Sequence, residues 1–269
     1  MIRALLRFEL AAARRARTVT LFAAGFALAS LAVALVGLSA GGAVTVQGFT
    51  RTSVSLLQLV VWVVPMMALL TGAVAGAECH ELEFVVGLPL ARGQLLAARW
   101  AAWTLALGAA LFVGLGAAGI AIALLAGAAD GARYLALILV AWLLLAATLA
   151  VGLAIGVTAR TRARAVGIAI VTWFVLVVGV DLVAIGALAI LPPRDAGWGL
   201  SLLLLADPVD AARAFGLGLF RADAIAGPTG AALRRVLGGW GAWALVGGLV
   251  LWIVTPLAIA GQRFARRDL

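Results

Sequence analysis

The sequence predicts an all-α membrane protein with six transmembrane helices, an N-terminal helix in the membrane interface, and short re-entrant helices before the last span. Three observations predict it. Of 269 residues, 65% are hydrophobic and 12% charged, with a mean hydropathy of +1.19. An ordinary soluble domain is roughly 45–50% apolar and about 25% charged, and no soluble fold of this size hides so much apolar surface. Six windows supply the ~20 apolar residues that a bilayer core demands of a helix. The 20 basic residues are all arginine, against 11 acids, and they are spread unevenly along the chain. A soluble enzyme, a disordered chain and a secreted disulfide scaffold are excluded; Cys79 has no second cysteine to pair with. A net charge of +9 would suggest nucleic acid in a soluble domain. In a membrane protein the positive-inside rule accounts for it, and no nucleic-acid partner is expected.

Residues 1–17 read as an amphipathic helix. At about 100° per residue, Arg3, Arg7, Arg14 and Arg17 share one arc and Ile2 and Leu5 lie opposite. The basic face suits anionic headgroups, which makes membrane lipid a partner. Glu9 falls on the side of Ile2 and Leu5. A carboxylate there either snorkels or needs a partner or a protein surface to dock on.

The predicted spans are 19–38, 56–77, 95–125, 134–157, 166–191 and 236–260. The first is longer than the apolar core of a signal peptide, about 7–15 residues. The third is long enough to tilt or to project from the membrane. Pro65 should kink the second. Met66 and Met67 point apart on a helix and suit core packing better than a copper site. Gly114-Leu115-Gly116 and Gly247-Gly248 are either close helix contacts or simply composition.

Residues 78–94, between spans two and three, are the most acidic stretch: Glu78, Glu81 and Glu83, then Pro89 and Arg92. Acids beside a bilayer usually mean solvation. Three of them against the local arginine bias suggest a docking surface for a basic partner. Cys79 and His80 stand among them, but consecutive residues do not share a helix face and soft ligands are too few, so no metal site is expected.

Asp181 is the only acid well inside a span. At bilayer depth it is costly, by about 3 kcal/mol or more. It is either a functional site facing the protein interior or a protonated acid bonded to a neighbouring helix. Residues 192–235 form the longest non-spanning piece. Residues 198–206 are apolar, and Asp207 then suits an N-cap, Pro208 a first helical position and Asp210 the positive end of the dipole. The helix should run from Pro208 to about Phe220. A pair of such short helices enters the outer leaflet only where protein covers its turn.

Six spans put both termini on one side. If that side is cytoplasmic, thirteen arginines lie inside against seven outside, and five of the seven fall in the long 192–235 loop. Counting short loops alone, the split is thirteen to two. The expectation is a multi-pass protein of the bacterial cytoplasmic membrane with N- and C-termini inside. The G-x-x-x-x-G-K-[ST] phosphate loop and the H-E-x-x-H motif are absent, for the chain has no lysine and a single histidine. The chain is therefore not expected to be an enzyme, and its energy source should be a partner.

These residues resemble the ABC-2-type permeases. The resemblance runs in order along the whole chain: Arg7-Phe8-Glu9-Leu10 in an N-terminal elbow helix, six spans, a coupling segment from Glu78 through Glu83-Phe84-Val85-Val86-Gly87-Leu88-Pro89-Leu90-Ala91-Arg92, and re-entrant helices before span six. Trp173 through Asp181-Leu182-Val183, with Leu202 through Asp207-Pro208-Val209-Asp210, is more narrowly similar to the NosY-type permeases of nitrous oxide reductase maturation. Those commonly have Asn where Asp207 stands and Gly-Thr where His80-Glu81 stand. The resemblance implies an ABC-2, type V exporter-like fold and a homodimer. It implies two cytoplasmic ATPase subunits docked at Glu9, Glu78, Glu81, Glu83, Pro89 and Arg92, and a periplasmic accessory protein at Asp207, Pro208 and Asp210. ATP and Mg would sit in the partner ATPase, with no cofactor in this chain, and the complex would serve copper-site assembly of nitrous oxide reductase. The residues alone leave two other readings open: a secondary transporter or channel using Asp181, and a membrane anchor that transmits force without a transport pathway.

Overall fold

The computed structural model of the protein describes residues 2–39, 46–83, 92–127, 130–159, 161–190, 203, 205–220 and 240–265. All regular structure among them is helical. The elements are α1 (Ile2–Arg15), α2 (Arg17–Ser39), α3 (Val46–Glu83), α4 (Arg92–Ala126), α5 (Gly131–Thr158) and α6 (Arg162–Phe174). A π-helical turn, Val175–Gly179, joins α6 to α7 (Val180–Ile190); α8 (Pro208–Leu219) and α9 (Gly241–Ala265) follow. Six stretches among the described residues are long and apolar enough to cross a bilayer, and the chain is a multi-pass membrane protein.

The helices overrun the apolar windows at nearly every end. The second window becomes a helix of 38 residues that passes through Pro65 unbroken. Glu78, Glu81 and Glu83 therefore ride on the last turns of α3 rather than in a separate segment. The reason is that a helix ends where its backbone hydrogen bonds end, not where its hydrophobicity does. α4 stops at Gly127, whose φ of 91° is left-handed and whose N–H donates to the Ala123 carbonyl at 3.1 Å, a glycine C-cap. α6 starts at Thr161, whose hydroxyl accepts from the Arg164 N–H at 3.2 Å.

α5 is the most enclosed span and packs most extensively on α3; the span of α6 and α7 and the span of α9 are the most open. Lipid tails are as apolar as leucine, so helices in a bilayer associate through close packing rather than hydrophobic burial. The α3–α5 seam shows how. Gly72 and Gly76 on α3 face Gly152 and Gly156 on α5. A Cβ on Gly72 would lie 2.6 Å from the Leu149 carbonyl oxygen, and one on Gly152 2.5 Å from that of Leu69. The two backbones touch. The pairs Gly114-Leu115-Gly116 and Gly247-Gly248 do less: Gly114 fits against Phe26, but Gly116 and Gly247 border open space.

Side-chain bonds between helices fix the register. Ser30 donates to the Gly114 carbonyl at 2.8 Å, Trp100 to Ala146 at 3.0 Å, Tyr134 to Leu115 at 2.7 Å and Trp173 to Trp62 at 3.1 Å. Such bonds average only about 0.6 kcal/mol in a bilayer, so they orient helices that packing holds together.

Candidate functional site

Two groups of charged residues lie at opposite ends of the bundle. The first gathers at the α1 end. Glu9 is buried, 3% exposed, and its carboxylate lies 3.4 Å from the Arg99 Nε near the start of α4. Arg99, itself 7% exposed, also reaches the Glu78 carboxylate of α3 at 3.6 Å. Glu78 in turn meets Arg162 of α6 at 3.4 Å. One chain of charge thus joins α1, α4, α3 and α6.

The helix pattern of α1 explains the arrangement. Arg7, Arg14 and Arg15 are exposed, while Glu9 and Ala13 face inward. Of the options open to Glu9, the structure supplies a partner, Arg99. The acid is therefore an interior link rather than an open docking surface. Burial raises its carboxyl above the ordinary range, Arg99 opposes the rise, and Glu78 adds to it. The side chains of Glu81, Glu83 and Arg92, and Pro89 altogether, lie outside the described residues, as do the side chains of Cys79 and His80.

In the sequence Arg99 and Arg162 count only among the thirteen arginines on the inside. Arg99 carried a stronger signal, because it falls inside the 95–125 window, and an ionisable residue within an apolar span calls for a partner.

The second group lies at the α8 end. Asp207 caps α8, accepting the Val209 N–H at 3.0 Å, and Pro208 takes the first turn. α8 packs between α3, α5 and α9, and Asp207 and Asp210 are buried. Arg213, one turn on, bonds Asp210 at 2.9 Å and both carboxylate oxygens of Asp181, at 2.8 and 2.9 Å. Asp181 is therefore an ion-pair partner of α8, its side chain 45% exposed. The partner is an arginine that the sequence reading counted only as outside charge; its i, i+3 spacing from Asp210 was the available signal. The first of the two short helices expected before span six, residues 198–206, falls mostly outside the described residues.

The most strongly raised carboxyl of this group is that of Asp207. Burial pushes it up to about 8; Asp210 and Asp181 add to the rise, and the Val209 N–H and Arg213 oppose it. Burial likewise lifts Asp210 to about 6, against Arg213. With both values above the ordinary 3.8, the folded protein holds protons that the unfolded chain has released. The stability they contribute is complete in acid and is lost as pH rises toward about 8. The thermal midpoint of the purified protein should accordingly fall between about pH 4 and about pH 8. Asp207→Asn retains a capping oxygen and should flatten the upper part of that slope; an unchanged slope would refute the assignment.

Residues 58–269 match the family model described as ABC-2 family transporter protein. The chain is 32% identical over 274 aligned residues to a probable ABC transporter permease protein NosY of Pseudomonas aeruginosa, covering 98% of this chain and 97% of the relative. It is 28% identical over 225 residues to a protein of the same description from Stutzerimonas stutzeri, covering 80% of each.

Proposed function

The chain belongs to the ABC-2 family transporter proteins, and on that premise we propose that it couples ATP hydrolysis by partner subunits to copper-site assembly of nitrous oxide reductase. Two copies of the chain form the membrane core. Both termini are cytoplasmic in the bacterial inner membrane, a reading that the arginine split supports. Two ATPase subunits, carrying ATP and Mg, dock at α1 and at the end of α3 through Arg92. A periplasmic accessory protein sits on the 192–235 loop, over Asp207, Pro208 and Asp210.

The observation that carries this reading is the chain of ion pairs from Glu9 through Arg99 and Glu78 to Arg162. It fastens the helix that bears the acidic segment to α1, α4 and α6. A push on Glu81 and Glu83 would be delivered along α3, a single helix of 38 residues, to α5 through the glycine seam and to α6 through Arg162. From α6 it would pass through the π-helical turn to α7 and reach α8 through Asp181 and Arg213. That route favours a conformational drive on the periplasmic partner. The pairing of Asp181 with Arg213 disfavours a secondary transporter that uses Asp181 as a free carboxylate.

The test is charge reversal at Glu81→Arg and Glu83→Arg with the ATPase co-expressed. Co-purification of the ATPase should be lost while membrane insertion and thermal midpoint stay unchanged. Glu78→Gln serves as a control, because Glu78 belongs to the internal network. An ATPase that still co-purifies in full with the doubly reversed chain would sink the docking assignment.

A further inference from the structure

The membrane-facing surface of α4 and α5 is not flush. At the α8 end of the bundle the two helices enclose a cavity of about 280 Å³. Its walls include Phe49, Gly116, Gly119, Ile120, Tyr134 and Leu135, and almost all of them are apolar. Ile120 and Leu135 are 65% and 66% exposed, so the cavity opens sideways toward the bilayer. The glycines are what hollow it. A Cβ at Gly116, Gly127 or Gly131 would meet nothing within 4 Å, whereas Gly119 lies against the Tyr134 ring, which forms the back wall. The Tyr134 hydroxyl donates to the Leu115 carbonyl, which fixes that wall in place.

Two charged residues adjoin the lining in sequence. Gly127, Gly131 and Tyr134 line the cavity; Asp130 directly precedes Gly131 and Arg133 directly precedes Tyr134. Asp130 occupies the N-cap position of α5, yet its carboxylate makes no capping bond. It accepts instead from Arg133 at 2.7 Å, and the Arg133 side chain is 41% exposed. A carboxylate and a guanidinium thus lie side by side next to lining residues, at the end of a span.

We propose that this groove binds one acyl chain of a zwitterionic phospholipid bearing a primary ammonium, with the phosphate on Arg133 and the ammonium on Asp130. The chain enters the groove because a concavity in a lipid-facing wall is otherwise an unfilled gap that forfeits packing contacts. Apolar contact selects nothing, since every lipid offers the same tails. Selection comes from the Asp130–Arg133 pair. One guanidinium N–H is committed to Asp130, and the rest of its five-donor fork suits a phosphate. The carboxylate accepts from an ammonium and repels a purely anionic headgroup. Phe49, in the wall, also meets Phe220 at the end of α8 with ring centroids 6.2 Å apart, so an occupied groove would brace α8.

The experiment is native mass spectrometry of the delipidated full-length protein in detergent, titrated with phosphatidylethanolamine and, separately, phosphatidylglycerol of the same chains. One phosphatidylethanolamine per chain should be retained, about tenfold more tightly than phosphatidylglycerol, the equivalent of one charge-assisted hydrogen bond. Asp130→Asn and Arg133→Gln should erase the preference. Gly116→Leu places its side chain in open space and improves helix propensity. It should weaken retention of both lipids about tenfold with an unchanged thermal midpoint. Equal retention of the two lipids by the unaltered protein, undiminished retention by Gly116→Leu, or a non-lipid molecule in the groove would each overturn the proposal. The readout does not depend on ATPase docking or on membrane sidedness, so its failure leaves the function proposed above untouched.

Discussion

Arg99→Met should destabilise the protein by about 3–5 kcal/mol, the usual cost of removing one partner of a buried ion pair. The substitution leaves Glu9 in a site that is 3% exposed, facing a methionine in place of a guanidinium. Burial already raises the Glu9 carboxyl, and Arg99 is the group opposing that rise. Without the arginine the carboxyl climbs further, and the folded form needs the acid protonated. The defect is therefore largest at high pH and shrinks as pH falls, because a raised acid pKa contributes stability that is lost as pH increases. Glu9→Gln, which removes the buried charge, should be far milder. The double variant Glu9→Met with Arg99→Met should recover much of the loss, as apolar replacements of buried pairs often do. The measurement is the thermal midpoint of detergent-solubilised protein by size exclusion after heating. If Arg99→Met alone matched the unaltered protein at alkaline pH, the network would be a surface ornament rather than the fastening of α1.

Gly156→Leu should destabilise the protein by about 3 kcal/mol, the upper end of the usual cost of overpacking. A Cβ at this position runs into the Ala73 carbonyl and lies 2.7 Å from the Gly76 Cα. Backbone cannot swing aside as a side chain can, so α3 and α5 would have to separate along the seam that both share. Gly247→Ala is the matched control: its Cβ meets nothing within 4 Å, and alanine is the better helix former. Thermal midpoints of the two variants should move in opposite directions. Similar midpoints would show that the seam has slack that the geometry denies it.

The seam shows what the sequence could and could not disclose. Gly72-Ala73-Val74-Ala75-Gly76 and Gly152-Leu153-Ala154-Ile155-Gly156 are both small-residue repeats at i, i+4, the spacing that lets transmembrane backbones meet. In a chain with 32 glycines the spacing does not stand out, and the closer-spaced glycine pairs border open space, the Phe26 ring or Leu205. The spans were readable because a bilayer imposes one length and one polarity on all of them. The cap at Asp207 was readable because capping is local chemistry. The pairs Glu9–Arg99 and Asp181–Arg213 were not, because they join residues about 90 and 32 positions apart. Half of each pair was legible: an acid on an apolar arc and an acid in a span both announce a missing partner. Only the packing of helices says which arginine answers.

The wide turn at Val175–Gly179 has a consequence for the fifth span. In that turn the Val180 N–H donates to the Val175 carbonyl, five residues back instead of four. A π-turn of this kind is one residue added to an α-helix, and at 3.6 residues per turn one residue is a rotation of about 100°. The two halves of the span are therefore out of phase. The lower half is clocked to α3, where Trp173 meets Trp62 with ring centroids 6.1 Å apart. The upper half is clocked to α8, where Asp181 meets Arg213. An unbroken α-helix could satisfy one of these appointments but would carry the other side chain about a quarter-turn away. The added residue lets a single rod address two neighbours that lie in different directions.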